Sequence, residues 1–195
     1  MLVVITGPSG VGKTTIIKSL LKADPGLTYS TSLTTRQPRP GEVDGIDYYF
    51  ISSEEFRKGV SEGKFAEWSE VYGEYYGRLE KDLDDLINHG DVLVGIDVQG
   101  AVKLRNKYPE GVFVFLLPRS EAALEAQLKG RRTDDDASVK TRLDAALREM
   151  KQADEFDYTV VNDKISETVK EVQAILIAER CRKLRSKSRE LRAES

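Results

Sequence analysis

Gly7-Pro8-Ser9-Gly10-Val11-Gly12-Lys13-Thr14 meets the spacing G-x-x-x-x-G-K-[ST] at every defining position, and its flanks narrow the folds open to the chain. Leu2–Ile5 ahead of it is a short β-branched apolar run, and Thr15–Lys22 behind it carries Ile16, Ile17, Leu20 and Leu21 at helical spacing. A strand that runs through a glycine loop into a helix lines up backbone N–H groups at the positive end of that helix, a receptacle for polyphosphate. Gly7, Gly10 and Gly12 let the backbone curl round the phosphates with no Cβ in the way. Lys13 can reach the β- and γ-phosphates, and the Thr14 hydroxyl can ligate Mg²⁺. A chance glycine-rich turn holding a lysine would leave both flanks and the full match unexplained. The expectation is a nucleoside triphosphate held along Gly7–Thr15.

Composition removes several other classes. With 195 residues, 39% of them hydrophobic and 32% charged, the chain can bury the core of one globular domain without staples. Cys181 is the single cysteine and His89 the single histidine, so neither an internal disulfide nor a zinc site is expected. A net charge of −3 argues against general nucleic-acid binding, and any anion site must be a local arginine cluster. The first strand follows Met1 at once, so no leader is expected, and no apolar run reaches membrane-spanning length. A cytoplasmic protein without membrane or nucleic-acid partners is expected.

Asp91–Asp97, Gly111–Leu117 and Asp157–Val161 are further near-continuous apolar runs, as in strands buried on both faces of a parallel sheet. Helical patterns alternate with them over Leu79–His89, Gln99–Lys107, Glu121–Gly130, Asp136–Ala153 and Ile165–Arg180, the last with a stripe of Ile165, Val169, Val172 and Leu176. That alternation predicts an α/β fold, a three-layer α/β/α arrangement on a five-stranded parallel core sheet. Residues 31–78 break the rhythm with strand-like pieces, tight turns and a short helix near Ser53–Glu62, and predict a small inserted mixed β lobe. The basic stretch Arg180–Arg192 reads as a frayed, solvated helix end.

The inserted lobe has chemistry of its own. Arg36 and Arg39 flank Gln37-Pro38 and are followed by Pro40, so their backbone is stiffened in advance. Two planar guanidiniums on a stiff loop can clamp a phosphate; a solvated charged loop is the other reading. Tyr48 and Tyr76 could add hydroxyl donors or serve only for packing. Glu67 lies in the strand-like Phe65-Ala66-Glu67-Trp68-Ser69 and would accept the paired N1–H and 2-amino donors of guanine. On the residues alone, an exposed strand carboxylate is the simpler explanation. Further on, Gly130-Arg131-Arg132-Thr133 breaks a helix, and Asp134–Asp136 suit the N-terminus of the next. Arg142 falls within the apolar stripe Val139, Leu143, Ala146, Leu147 and Met150, where it would need an anion or would snorkel to the surface. Arg131, Arg132 and Arg142 together could stabilise a transferring phosphoryl group.

GPSGVGKTT at 7–15, SLTTRQPRPGEVDGIDYYF at 32–50, FAEW at 65–68, EYYG at 74–77, IDVQG at 96–100 and VVND at 160–163, taken in that order, give the chain a resemblance to guanylate kinases over almost its whole length. The resemblance implies a three-part enzyme: a core (1–30, 79–123, 155–195), a GMP-binding lobe (31–78) and a helical lid (124–154). It implies transfer of a phosphoryl group from ATP to GMP or dGMP with Mg²⁺, directly and in line, in purine nucleotide metabolism, by a monomer or homodimer. Carried over by position, Ser32 and Glu67 match the guanine readers, and Arg36, Arg39, Tyr48 and Tyr76 the ligands of the GMP phosphate. Asp97 matches an acid near the base that could also reach the metal through water. Arg131 and Arg142 match arginines on the ATP phosphates, and Asn162 a residue beside adenine. Lys13, Arg36, Arg131 and Arg142 would be the catalytic set.

Four positions depart from the family's pattern. Arg78 replaces the Ser or Thr that helps to read the base, and could donate to guanine O6 or N7 instead. Gly95 stands where an acid is usual, Gln127 replaces a lid arginine, and Arg132 replaces a glycine. Two rival functions follow: a P-loop kinase of a sugar phosphate such as ribose 1,5-bisphosphate, and a guanylate-kinase-like binding module, which typically lacks the intact loop seen here.

Overall fold

Four apolar runs become strands, and a fifth strand joins them from a segment with no such signature. The computed structural model of the chain describes residues 1–71, 73–129 and 136–193, with side chains for all of these except 136–138 and 185–193. The elements are β1 (Leu2–Thr6), α1 (Lys13–Ala23), β2 (Leu27–Tyr29), β3 (Leu33–Thr34), β4 (Tyr49–Phe50), α2 (Ser53–Ser61), β5 (Phe65–Val71) and β6 (Glu74–Leu79), then α3 (Glu80–His89), β7 (Asp91–Gly95), α4 (Val98–Lys107), β8 (Val112–Pro118), α5 (Glu121–Lys129), α6 (Asp136–Met150), β9 (Tyr158–Asn162) and α7 (Ile165–Ala193). A five-stranded sheet has the order β2-β7-β1-β8-β9, and a four-stranded sheet the order β4-β3-β6-β5. This is the predicted P-loop α/β fold with its separate mixed sheet.

The chain divides into two compact units. One comprises Met1, Gly7–Asp24 and Val114–Ser195; the other comprises Leu2–Thr6 and Pro25–Phe113. In the second unit β7 pairs in parallel with both β1 and β2, in the registers Leu2↔Val92 and Leu27↔Asp91. Val3, Val4, Ile5 and Val92–Val94 are wholly buried, as expected for strands covered on both faces. The mixed sheet of this unit holds β3 parallel to β4 and antiparallel to β6, which pairs antiparallel with β5. Helix α2 starts at a complete capping box, Ser52 with Glu55. Its Phe56 stacks on Phe65 and Tyr75, with ring centroids 4.5 and 5.4 Å away, and fixes the helix to the sheet.

In the first unit β8 pairs in parallel with β9. Ile16, Ile17 and Leu20 of α1 and Val169, Val172 and Leu176 of α7 are buried. Helices α5 and α6 pack through Leu124, Leu128, Val139 and Ala146, with Leu143 and Met150 against them.

Three boundaries differ from expectation. Strand β2 is only three residues long, too short for a pattern to show. Helix α6 stops at Met150, and a 3₁₀ turn at Ala153–Glu155 leads to β9. Helix α7 continues through the basic stretch to Ala193, and its first apolar residue, Ile165, is exposed because the helix only meets the core from Thr168 onward. No described helix is long and apolar enough to cross a membrane.

Candidate functional site

The glycine loop belongs to the first unit, between the end of β1 and the start of α1. Gly12 has φ 94°, and a Cβ built on it would lie 2.7 Å from the Asn162 Nδ2, so both backbone shape and space demand glycine there. Asn162, at the end of β9, donates from Nδ2 to the Val11 carbonyl at 2.7 Å and accepts from the Thr168 hydroxyl at 3.1 Å. The residue expected beside adenine is therefore also a fastener of the loop. Lys13 donates from Nζ to the Gly7 carbonyl at 2.6 Å and the Pro8 carbonyl at 3.1 Å, which stations its charge inside the loop's mouth. Thr14 and Thr15 are exposed on the first turn of α1.

Arg142 of α6 is 8% exposed and donates to the Ser9 hydroxyl at 3.2 Å. Of its two sequence readings, the inward one holds: the side chain turns to the phosphate loop. Arg131 and Arg132 lie outside the described residues, as do Asp134 and Asp135. Gln127 is exposed on α5.

The remaining candidates lie in the second unit. Strand register sets Glu67 of β5 opposite Arg78 of β6, and Leu33 of β3 opposite Gly77, so Ser32, Arg78 and Glu67 come abreast on one face. Arg78 is 1% exposed. It donates from Nε to the Ser30 hydroxyl at 2.9 Å and from one terminal nitrogen to Glu67 Oε1 at 3.1 Å. Its other terminal nitrogen bonds the Ser30 carbonyl at 3.0 Å and the Ser32 hydroxyl at 2.7 Å. Arg78 is thus bonded to Ser30 and to Ser32 and Glu67, the two residues that resemble base readers.

Glu67 corrects the reading as an exposed carboxylate, being 4% exposed. An irregularity between Phe65 and Glu67 breaks the alternation of β5, so Ala66 and Glu67 are both buried. Burial raises the Glu67 carboxyl to about 7, and the nearby Asp97 adds to the rise, while Arg78 and Lys103 oppose it. Asp97 caps α4 by accepting from the Gly100 N–H at 3.0 Å, and its other oxygen accepts from Ser69 at 2.6 Å.

Arg36 forks onto Glu42 with bonds of 3.0 and 2.9 Å, and Glu42 also accepts from the Arg39 backbone N–H at 2.7 Å. The Tyr48 ring lies 5.3 Å from the Arg36 guanidinium, and Tyr76 meets Tyr48 edge-on at 6.0 Å. Arg36 Nε is buried without a hydrogen-bond partner among the described residues. Arg36, Tyr48 and Tyr76 are thus gathered, whereas the Arg39 side chain is exposed. Burial raises the Tyr48 hydroxyl, with Tyr29 and Tyr76 adding to it, so it remains a donor at neutral pH. Sequence reasoning passed over Glu42, Ser30 and Ser69. Glu42 had a signal, the three-residue spacing Arg36, Arg39, Glu42; the serines had none.

Among described residues, no group of three or more acidic, cysteine or histidine side chains could cage a metal. The exposed Thr14 hydroxyl beside the loop is an oxygen donor of the kind that Mg²⁺ accepts.

A family model described as guanylate kinase matches residues 1–179. The chain is 46% identical over 186 residues to a guanylate kinase of Geobacter metallireducens, covering 95% of this chain and 92% of that one. It is 45% identical over 188 residues to one of Caldanaerobacter subterraneus subsp. tengcongensis, covering 96% and 91%. A crystal structure of guanylate kinase from Anaplasma phagocytophilum superposes with TM-score 0.76 at 34% identity, over 92% of this chain and 85% of that one. A shikimate kinase from Bacteroides thetaiotaomicron, at 16% identity and TM-score 0.53, shares the fold alone.

Proposed function

The chain belongs to the guanylate kinase family, and from that premise we propose that ATP occupies the loop Gly7–Thr15 while GMP, or dGMP, occupies the mixed-sheet lobe at 31–78. One observation carries the acceptor assignment. Arg36 already grips an oxyanion, the Glu42 carboxylate, with both tyrosines in attendance. Two oxygens of a nucleotide phosphate can accept from the same guanidinium fork, and a third is available to the buried Nε. Ser32 and Glu67 then meet the guanine edge, and Asp97 supports them.

The reaction is transfer of the γ-phosphoryl group of ATP to the GMP phosphate, giving ADP and GDP. It needs no covalent intermediate and no strong base, because positioning and charge neutralisation suffice. Lys13, Arg142 and the lid's Arg131 neutralise the transferring group, and Arg36 with Arg39 holds the attacking phosphate. Mg²⁺ would be held on the protein side by the Thr14 hydroxyl and would supply neutralisation of the phosphate charge. The three-part division into core, GMP lobe and lid (124–154), and a cytoplasmic place in purine metabolism, follow from the same reading. A sugar-phosphate acceptor has no use for Glu67, buried at 4% exposure beside Arg78.

The test is ADP release from Mg-ATP with GMP, dGMP, AMP, UMP and ribose 1,5-bisphosphate offered in turn. GMP and dGMP should be the fast acceptors; equal rates with AMP, or activity only on the sugar phosphate, would defeat the assignment.

A further inference from the structure

Arg78 sits between the two base readers and touches both, at a position where the family's pattern has a small hydroxyl residue. Its terminal nitrogen donates to Ser32 Oγ at 2.7 Å, which occupies a serine lone pair and leaves the hydroxyl proton to be donated elsewhere. Its other terminal nitrogen donates to Glu67 Oε1, which leaves Oε2 free to accept. Ser30 anchors the guanidinium from two further sides through its hydroxyl and carbonyl, so the fork cannot rotate without breaking four bonds.

We propose that Arg78 is the positioning residue that sets which purine this site accepts, by holding Ser32 as a donor and Glu67 as a charged acceptor. That pair complements a 6-oxopurine with a proton on N1. It opposes a 6-aminopurine, whose exocyclic amine donates and whose N1 accepts. The inference rests on the assignment of Ser32 and Glu67 to the base.

Glu67 is poised for such control. The charged groups around it are Arg78 on β6 and Asp97 and Lys103 on α4. Burial and Asp97 favour the protonated carboxyl, and Lys103 is turned to the Trp68 carbonyl at 2.7 Å. Without Arg78, Glu67 would carry its proton to higher pH and would become a donor. Ser32 would then be free to rotate and accept. The donor–acceptor pattern of the site would reverse towards adenine.

The test uses full-length Arg78→Met and Arg78→Lys, with initial rates on GMP and AMP between roughly pH 6 and pH 9. Arg78→Met should raise KM for GMP roughly tenfold or more, with a smaller change in kcat. It should also move the acid limb of kcat/KM to higher pH and narrow the preference for GMP over AMP, most at the acid end. Arg78→Lys keeps the charge but not the fork, so the limb should return while the preference stays below that of the unmodified enzyme. An Arg78→Met enzyme with unaltered KM, limb and preference overturns the inference. Should Arg78→Met fail to fold, judged by lost ATP binding, Arg78→Lys decides alone: an unaltered preference for GMP over AMP overturns it. If the unmodified enzyme itself shows no turnover with GMP, the kinase reading fails instead, which separates the two.

Discussion

Asn162 and Val11 are joined by a hydrogen bond of 2.7 Å between the side-chain amide and a loop carbonyl, which ties the end of β9 to the phosphate loop. The other end of the amide is held by Thr168, so the donor is aimed rather than free to flip. Asn162→Ala leaves the Val11 carbonyl unpaired and the loop less organised. KM for ATP should rise roughly tenfold, in line with one lost buried hydrogen bond, while KM for GMP stays put. Steady-state kinetics with each nucleotide varied in turn would show it.

Gly12 faces that same amide. Its φ of 94° and the 2.7 Å approach of Asn162 Nδ2 to a built Cβ oppose any side chain. Gly12→Ala should weaken ATP binding by about 1–3 kcal/mol, the range for a residue forced into a left-handed conformation. Titration calorimetry with ATP would register the loss; unchanged affinity would mean that the loop binds in another shape.

On the proposed reading, Arg36, now forked onto Glu42, holds the acceptor phosphate. Arg36→Lys keeps the charge and loses the fork, so KM for GMP should rise by about tenfold or more while KM for ATP is unaffected. Equal losses for both nucleotides would show that Arg36 maintains the fold instead.

Glu67 gives stability a pH dependence whose sign is fixed by burial. Its folded carboxyl is raised to about 7, so the folded chain holds this proton more tightly than the unfolded chain. The resulting stabilisation is complete below the unfolded carboxyl range and is lost as pH rises through about 7. Glu67→Gln does not titrate. The stability of the unmodified chain relative to this variant should therefore be greater at about pH 5 than at about pH 8, by on the order of 3 kcal/mol. Urea unfolding at the two pH values measures it; an equal gap at both contradicts it.

The phosphate loop was legible because its constraints are local: a glycine or a lysine at each fixed offset, with a strand and a helix at the ends. The buried strands were legible from their unbroken β-branched runs. Strand β2 was not, since a run of three residues has no period. Glu67 misled for a different reason. Its partner, Arg78, stands on the neighbouring strand, and the irregularity after Phe65 turns an apparently outward position inward. Arg142 could be placed on an inward stripe but not given a partner, because Ser9 is distant in sequence and only the fold delivers it.

Direct transfer is tested most closely by a single turnover with ATP carrying an isotopically chiral γ-phosphate and GMP as acceptor. The γ-phosphoryl group should appear as the terminal phosphate of GDP with its configuration at phosphorus inverted, in one step and with no label left on the protein. Retention of configuration, labelled protein, or release of the label only as inorganic phosphate would contradict the proposed direct transfer.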